Sequence, residues 1–254
     1  MIVNRLEVDD AQIDSPLGRT SAVVKLGVAI VWLGGLALTL DPVPPLLLAL
    51  VVLAVGIRFG SIPPARLAGS LAPLWIAALA VGLSNTLFAA ANGDPLARDL
   101  VEIGPVRITV EAAETGLALM LRVAAIAGVG AVFALTTDST RLADSLVWQA
   151  RVSPRFAYGA LAAFQAIPRF VDDLTALRQA RRIRGLRGGW HPRLLLGMLV
   201  LAIRHGDRLA LSMDARAFGS GPRTVYRDVA WDWLDAAVGV GGVAVLAVAL
   251  RLGR

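Results

Sequence analysis

Five stretches of this chain are too long and too apolar for a soluble core, and they set its class before any motif is considered. A helix that crosses a bilayer needs roughly 20 mostly apolar residues to cover about 30 Å of hydrocarbon. The stretches run from about Ala22 to Leu40, Pro42 to Ile57, Leu67 to Ala91, Gly116 to Leu135 and Leu234 to Leu250. Each is bounded by prolines, charges or an Asn-Gly turn signal. The second is short, and the tight link Asp41, Pro42, Pro44 and Pro45 makes the first two read as an antiparallel helical hairpin. Composition agrees, with 56% hydrophobic residues, 17% charged and a mean hydropathy of +0.66. The expected fold class is an all-α integral membrane protein.

The net charge is +6, and Lys25 is the only lysine among 25 basic residues. Nearly every cation is therefore a guanidinium, suited to planar contacts with several acceptors. Beside apolar runs that need lipid, this balance reports membrane topology rather than nucleic-acid binding. The chain has no cysteine, which excludes disulfides and thiolate chemistry. Its first twenty residues hold three Asp and one Glu and lack a signal-peptide pattern, so the N-terminus is expected to be retained.

Arginine placement orients the spans. The link from Arg58 to Arg66 has two arginines and no acid, whereas Asn92 to Thr115 sets Arg98 and Arg107 against five acids. The positive-inside rule puts the first link in the cytoplasm, together with the N-terminus and the region from Asp138 to Asp235. That region holds fifteen arginines against nine aspartates. Arg251 and Arg254 then fall outside, a conflict that a re-entrant or interfacial last helix removes. The expected division is a cytoplasmic segment 1–21, four spans in 22–135, a cytoplasmic helical region 136–233 and a last span 234–254.

The region 136–233 keeps Leu, Ala, Phe and Val at helical spacing among its charges, and reads as three amphipathic helices. The first covers Ser139 to Val152, capped by Asp138 or Ser139. The second runs from Ser153 and Pro154 to about Arg184, with Ser153 as cap and a kink at Pro168. Gly185, Gly188 and Gly189 stop it. The third starts near His191 and Pro192 and ends at Phe218, before Gly219, Gly221 and Pro222. Each of the last two helices ends on an arginine, where unpaired carbonyls and the helix dipole favour a cation that can also reach a partner's carboxylates. Ordinary capping and contact with anionic lipid explain such a pattern equally well on physics alone.

The endings "RRIRGL" and "SMDARAFG", about thirty residues apart and each closing a basic amphipathic helix after four spans, resemble the transmembrane coupling subunit of energy-coupling factor (ECF) transporters. That family includes subunits of biotin, cobalt and nickel uptake systems, and its hallmark is a pair of Ala-Arg-Gly motifs. The resemblance places the first motif on Ile183, Arg184 and Gly185 and the second on Ala215, Arg216 and Ala217, with Ile183 and Ala217 departing from the pattern. The segment "DSPLGRTSAVVKLG" is similar, more loosely, to the family's entry into the first span. The resemblance implies two ABC-type ATPase subunits gripped by the two arginines, a separate substrate-binding membrane subunit, and no catalytic residue, metal or cofactor in this chain. It leaves the transported vitamin or metal ion to that other subunit.

Other classes find less support in the residues. A P-loop needs Gly-Lys-Ser/Thr, and Lys25 lies between Val24 and Leu26. A self-contained permease needs converging polar groups at mid-membrane, and the spans offer only Arg122, Ser84, Asn85 and Thr86. Arg122 either pairs with Glu114, snorkels or faces a protein interior. A membrane enzyme is disfavoured because His191 and His205 lack metal-ligand spacing, and the adjacent Asp172 and Asp173 point to different sides of a helix. Small residues in the last span, Gly239, Gly241 and Gly242, would let another helix approach closely.

Overall fold

The computed structural model describes residues 10–39, 41–93, 97–103, 106–186, 191–219 and 231–253. The stop at Gly188 and Gly189, the signals at Gly221 and Pro222, and the terminal Arg254 lie outside the described residues. The chain divides into two units, Met1–Leu142 with Ala230–Arg254, and Ala143–Val229. The first unit is an apolar helical bundle and the second a set of amphipathic helices.

In the first unit, two single-turn helices, α1 (Asp10–Ile13) and α2 (Pro16–Arg19), lead into α3 (Ala22–Ala37), α4 (Val43–Arg58), α5 (Pro64–Phe88), α6 (Val110–Thr136) and α11 (Trp233–Leu252). The last three of these are long and apolar enough to cross a membrane. α3 and α4 have 16 residues each, about 24 Å of helix. Large apolar side chains on the bundle's outside, such as Ile76 at 68% exposed, are what lipid contact requires. The inside is a cluster that includes Trp32, Leu36, Leu48, Leu71, Leu135 and Leu246.

Glycines set how these helices meet. A Cβ on Gly82 would lie 2.7 Å from Met120 Cβ and one on Gly116 would run into Thr86 Oγ1, so α5 and α6 press their backbones together where neither has a side chain. A Cβ on Gly242 would lie 2.6 Å from Val28, and Trp32 Nε1 donates to the Gly242 carbonyl at 2.8 Å. The close approach expected along α11 thus falls on Gly242, with α3 as the neighbour. The main neighbours of α4 are α6 and α11, and the main neighbour of α3 is α11. The first two apolar helices are consecutive in sequence, but their principal packing partners are others.

One end of the bundle is tied by polar bonds. Lys25 Nζ donates to Thr136 O at 2.9 Å, joining α3 to the end of α6. Asp235 Oδ1 accepts from Ser21 N at 2.6 Å, and Asp232 with Asp235 forms the capping box that starts α11. Leu17 N donates to Phe59 O at 3.1 Å, which pins α2 to the end of α4. Between α5 and α6 the chain forms a two-stranded hairpin, β1 (Asp99–Ile103) with β2 (Val106–Thr109). Thr109 caps α6, which begins six residues before the apolar run, and Asn92 holds the hairpin by accepting from Thr109 N and donating to Thr86 O.

In the second region, α7 (Ser139–Trp148) is capped by Asp138, whose carboxylate accepts from Arg141 N. The helix expected over 153–184 is two helices, α8 (Pro154–Gln165) and α9 (Ile167–Ile183). Pro168 has no N–H to give the Phe164 carbonyl and its ring crowds that oxygen, so the helix is interrupted at Ala166, which caps the end of α8 and the start of α9. Ser153 stands at the N-cap of α8 but its side chain makes no capping bond. α10 (Pro192–Ala215) starts at His191, whose Nδ1 accepts from Arg193 N at 3.1 Å.

Candidate functional site

The six motif residues fall on two helix ends within the second unit. Ile183 is the last residue of α9, Arg184 its C-cap and Gly185 the residue beyond, at φ +72°. Gly185 N donates to Arg182 O at 3.1 Å and Leu186 N to Arg181 O at 3.1 Å. Those two bonds make a Schellman closure, which needs the left-handed backbone glycine adopts without penalty. On α10, Ala215 is the last residue, Arg216 the C-cap and Ala217 the next, at φ +53°. Ala217 N donates to Asp214 O at 2.9 Å and Phe218 N to Met213 O at 3.0 Å. The two ends are the same structure built twice, although the second has alanine where the family pattern has glycine.

Both arginines are exposed, as is Ile183 at 88%. Beside Arg184, Arg181 Nε is buried and finds no hydrogen-bond partner among the described residues. α9 and α10 meet where a Cβ on Gly197 would lie 3.2 Å from Leu177 Cδ1. Arg184 lies seven residues past that meeting point along α9 and Arg216 nineteen past it along α10, roughly 10 and 28 Å, so the tips stand no closer than about 18 Å whatever the crossing angle. Each motif's residues are brought together, and the two motifs are held apart.

The second end carries a brace that the motif does not announce. The Phe218 ring meets Tyr158 of α8 edge-on, with centroids 6.4 Å apart and planes at 77°. Tyr158 Oη donates to Asp144 Oδ1 of α7 at 2.8 Å. Its phenol is pushed up to about 12 by burial, then by that hydrogen bond and the carboxylate's charge. Arg155 Nη2 donates to Gly219 O at 3.1 Å, and a Cβ on Gly219, which stands at φ +82°, would displace that guanidinium. The signals in the sequence were the aromatic residue directly after the motif, in the place where Schellman closures favour an apolar contact, and the glycine that follows it.

The family of cobalt transport proteins named CbiQ matches residues 15–226, which include the entry segment, four apolar helices and both tips. The chain belongs to that family. It is also 28% identical, over 181 residues, to a protein of Bifidobacterium longum (strain NCC 2705) whose name describes it as an ABC transporter ATP-binding protein. The aligned part is 64% of this chain and 22% of that relative, so the chain spans about a fifth of the relative's length. In this CbiQ-family chain, the apolar helices make it a membrane protein and the family makes it a transport component.

Arg122 sits near the middle of α6 with Nε and Nη2 buried and unpartnered among the described residues. The pairing with Glu114 considered from the sequence does not form.

Proposed function

We propose that this chain is the transmembrane coupling subunit of an ECF-type ABC importer. It links ATP hydrolysis by two separate ATPase subunits to uptake of a vitamin or metal ion, which a separate membrane subunit binds. In this reading it is a non-catalytic, multi-pass protein of the plasma membrane, with its N-terminus and the α7–α10 region on the cytoplasmic side, where the fifteen arginines between Asp138 and Asp235 gather.

The observation that carries the reading is the pair of identical helix closures, each presenting an exposed arginine and set apart by roughly 18 Å or more. A single groove cannot accept both tips, whereas two copies of one ATPase offer two equal grooves. An arginine projecting past the end of a helix is suited to carboxylates or carbonyls in such a groove. The relative adds support, since a chain named for ATP binding carries a region similar to this one. Rigid tilting of α9 and α10 would pass the ATPases' closure to the membrane bundle.

The test is the double substitution Arg184→Glu and Arg216→Glu. Membrane insertion should be unchanged, while co-purification with the ATPase subunits and substrate uptake are abolished. Undiminished ATPase association would sink the proposal. A self-contained permease is the second reading, and Arg122, whose Nε and Nη2 are buried without a partner among the described residues, favours it. Substrate binding by the isolated chain, measured calorimetrically, would decide for it.

A further inference from the structure

The membrane bundle holds a feature that coupling leaves unused. Between α3, α4, α6 and α11 lies a cleft of about 430 Å³, walled by apolar side chains such as Val28, Trp32, Val52 and Val245. On α11 its wall runs from Trp233 to Val245, about 18 Å along the helix, more than half of a typical hydrocarbon thickness of about 30 Å. The space is therefore a long, narrow slot. A second helix, about 10 Å across, would need on the order of 1,400 Å³ over that length. A single hydrocarbon chain, about 4 to 5 Å across at carbon contact distances, needs roughly 300 Å³. Volume and shape suit such a chain.

Charge selects its headgroup. Among the described residues, Lys25, 8% exposed, is the one charged residue lining the slot, and it lies at the end where α3 and α11 begin. Its ammonium carries three N–H groups, and the Thr136 carbonyl is the one acceptor it reaches among the described residues. Asp235 acts on its charge from a distance but uses its oxygens on Ser21 N and Asp232 N, while Arg141 adds a second positive charge nearby. A buried ammonium with donors to spare is costly inside a membrane protein and gains most from an anionic acceptor. Basic pockets between spans, near the membrane face, are where anionic lipid headgroups settle.

We propose that this slot holds one acyl chain of an anionic phospholipid, with the headgroup phosphate against Lys25. The proposal is independent of the coupling function, because none of its residues belongs to the α9 or α10 tips. The lipid would fill the bundle between α3, α4, α6 and α11, where no side chain of the described residues does.

The experiment uses the full chain, purified in mild detergent and exchanged with vesicles of equal parts phosphatidylcholine and phosphatidylglycerol, with retained lipid counted by native mass spectrometry. One phosphatidylglycerol per chain should be retained, with a preference of roughly tenfold over phosphatidylcholine, because both offer a phosphate but only phosphatidylcholine brings a choline cation that offsets it beside the Lys25 ammonium. Lys25→Met should remove the preference and leave retention of either lipid. Gly241→Leu lines the slot at a point where a Cβ meets nothing within 4 Å, so the leucine can enter without a clash and should abolish retention of both lipids. Gly69→Leu, equally open but on α5 away from the slot, should change nothing. Equal retention of the two lipids by the unmodified chain, an undiminished preference in Lys25→Met, or capture of a protein rather than lipid by a photo-crosslinker at Gly241 would each overturn the proposal.

Discussion

The ends of α9 and α10 close with the same two backbone bonds, yet among the described residues only the second is fastened to other helices by side chains that the closure does not need. Gly185 stands in open space, and a Cβ there would meet nothing within 4 Å. Ala217 takes nearly the same left-handed backbone with a side chain that disfavours it, at a cost of about 1 kcal/mol. Such strain persists where the surroundings over-determine the conformation, and the Phe218, Tyr158, Asp144 and Arg155 contacts supply that determination. The first tip keeps glycine, and among the described residues no side-chain contact like that of Phe218 holds its shape. The braced tip tolerates alanine because such contacts hold it. Preorganisation lowers the ordering cost of binding, so in the proposed coupling role the α10 tip should meet its ATPase already formed, and the α9 tip should gain order on contact.

The largest effect that would break this comparison comes from removing the brace. Phe218→Ala takes away the ring that meets Tyr158 and leaves the strained Ala217 without its support. It should cost the α10 tip about 2 kcal/mol, below a full core truncation because Phe218 is only half buried. Hydrogen exchange should then rise sharply at the amides of 213–219 and stay unchanged at 181–186. Equal acceleration at both tips would show that they are not held separately.

Exchanging the residues after the two arginines sharpens the comparison further. Gly185→Ala puts a Cβ on a left-handed position that no described residue braces, and should destabilise the α9 closure by about 1 kcal/mol. Ala217→Gly relieves the same strain and should stabilise the α10 closure by less than about 1 kcal/mol, since glycine adds freedom to the unfolded chain. Local exchange protection reads both. If Ala217→Gly weakens protection at 213–219, alanine there is not strained.

These differences bear on what the residues alone disclosed. The apolar runs located the helices that the bundle is built from, because twenty lipid-facing positions leave a signal in any window. The endings around Arg184 and Arg216 pointed to the two tips because a closure is local, spanning five or six residues. The interruption at Ala166 was visible in Pro168, which cannot bond the carbonyl four residues before it, although the division into two helices with a shared cap was not. The hairpin Asp99–Thr109 was passed over because its strands are short beside spans sought at twenty residues. Tyr158, Asp144 and Arg155 lie 60 to 74 residues before the tip they brace, a pairing that only the fold creates. The contact of Lys25 with Thr136, 111 residues apart, is of the same kind.

The smallest effect separates the tips by pH. With its phenol pushed up from 10.0 to about 12, Tyr158 stays protonated in the folded brace after it would have ionised in an unfolded chain. A folded value above the unfolded one means that the contribution is complete below about pH 10 and is lost as pH rises through about 12. Above that range the phenolate faces the Asp144 carboxylate, and both the donor and the attraction are gone. Ultraviolet titration of the chain against a Tyr158→Phe variant should isolate one phenol ionising near 12, and Asp144→Asn should lower that midpoint, because it removes the like charge. Protection at 213–219 should fall over the same interval in the unmodified chain and show no such step in Tyr158→Phe. The α9 tip has no tyrosine in its closure, so a matching step at 181–186 would mean that the two ends share a support and that the asymmetry between them is not real.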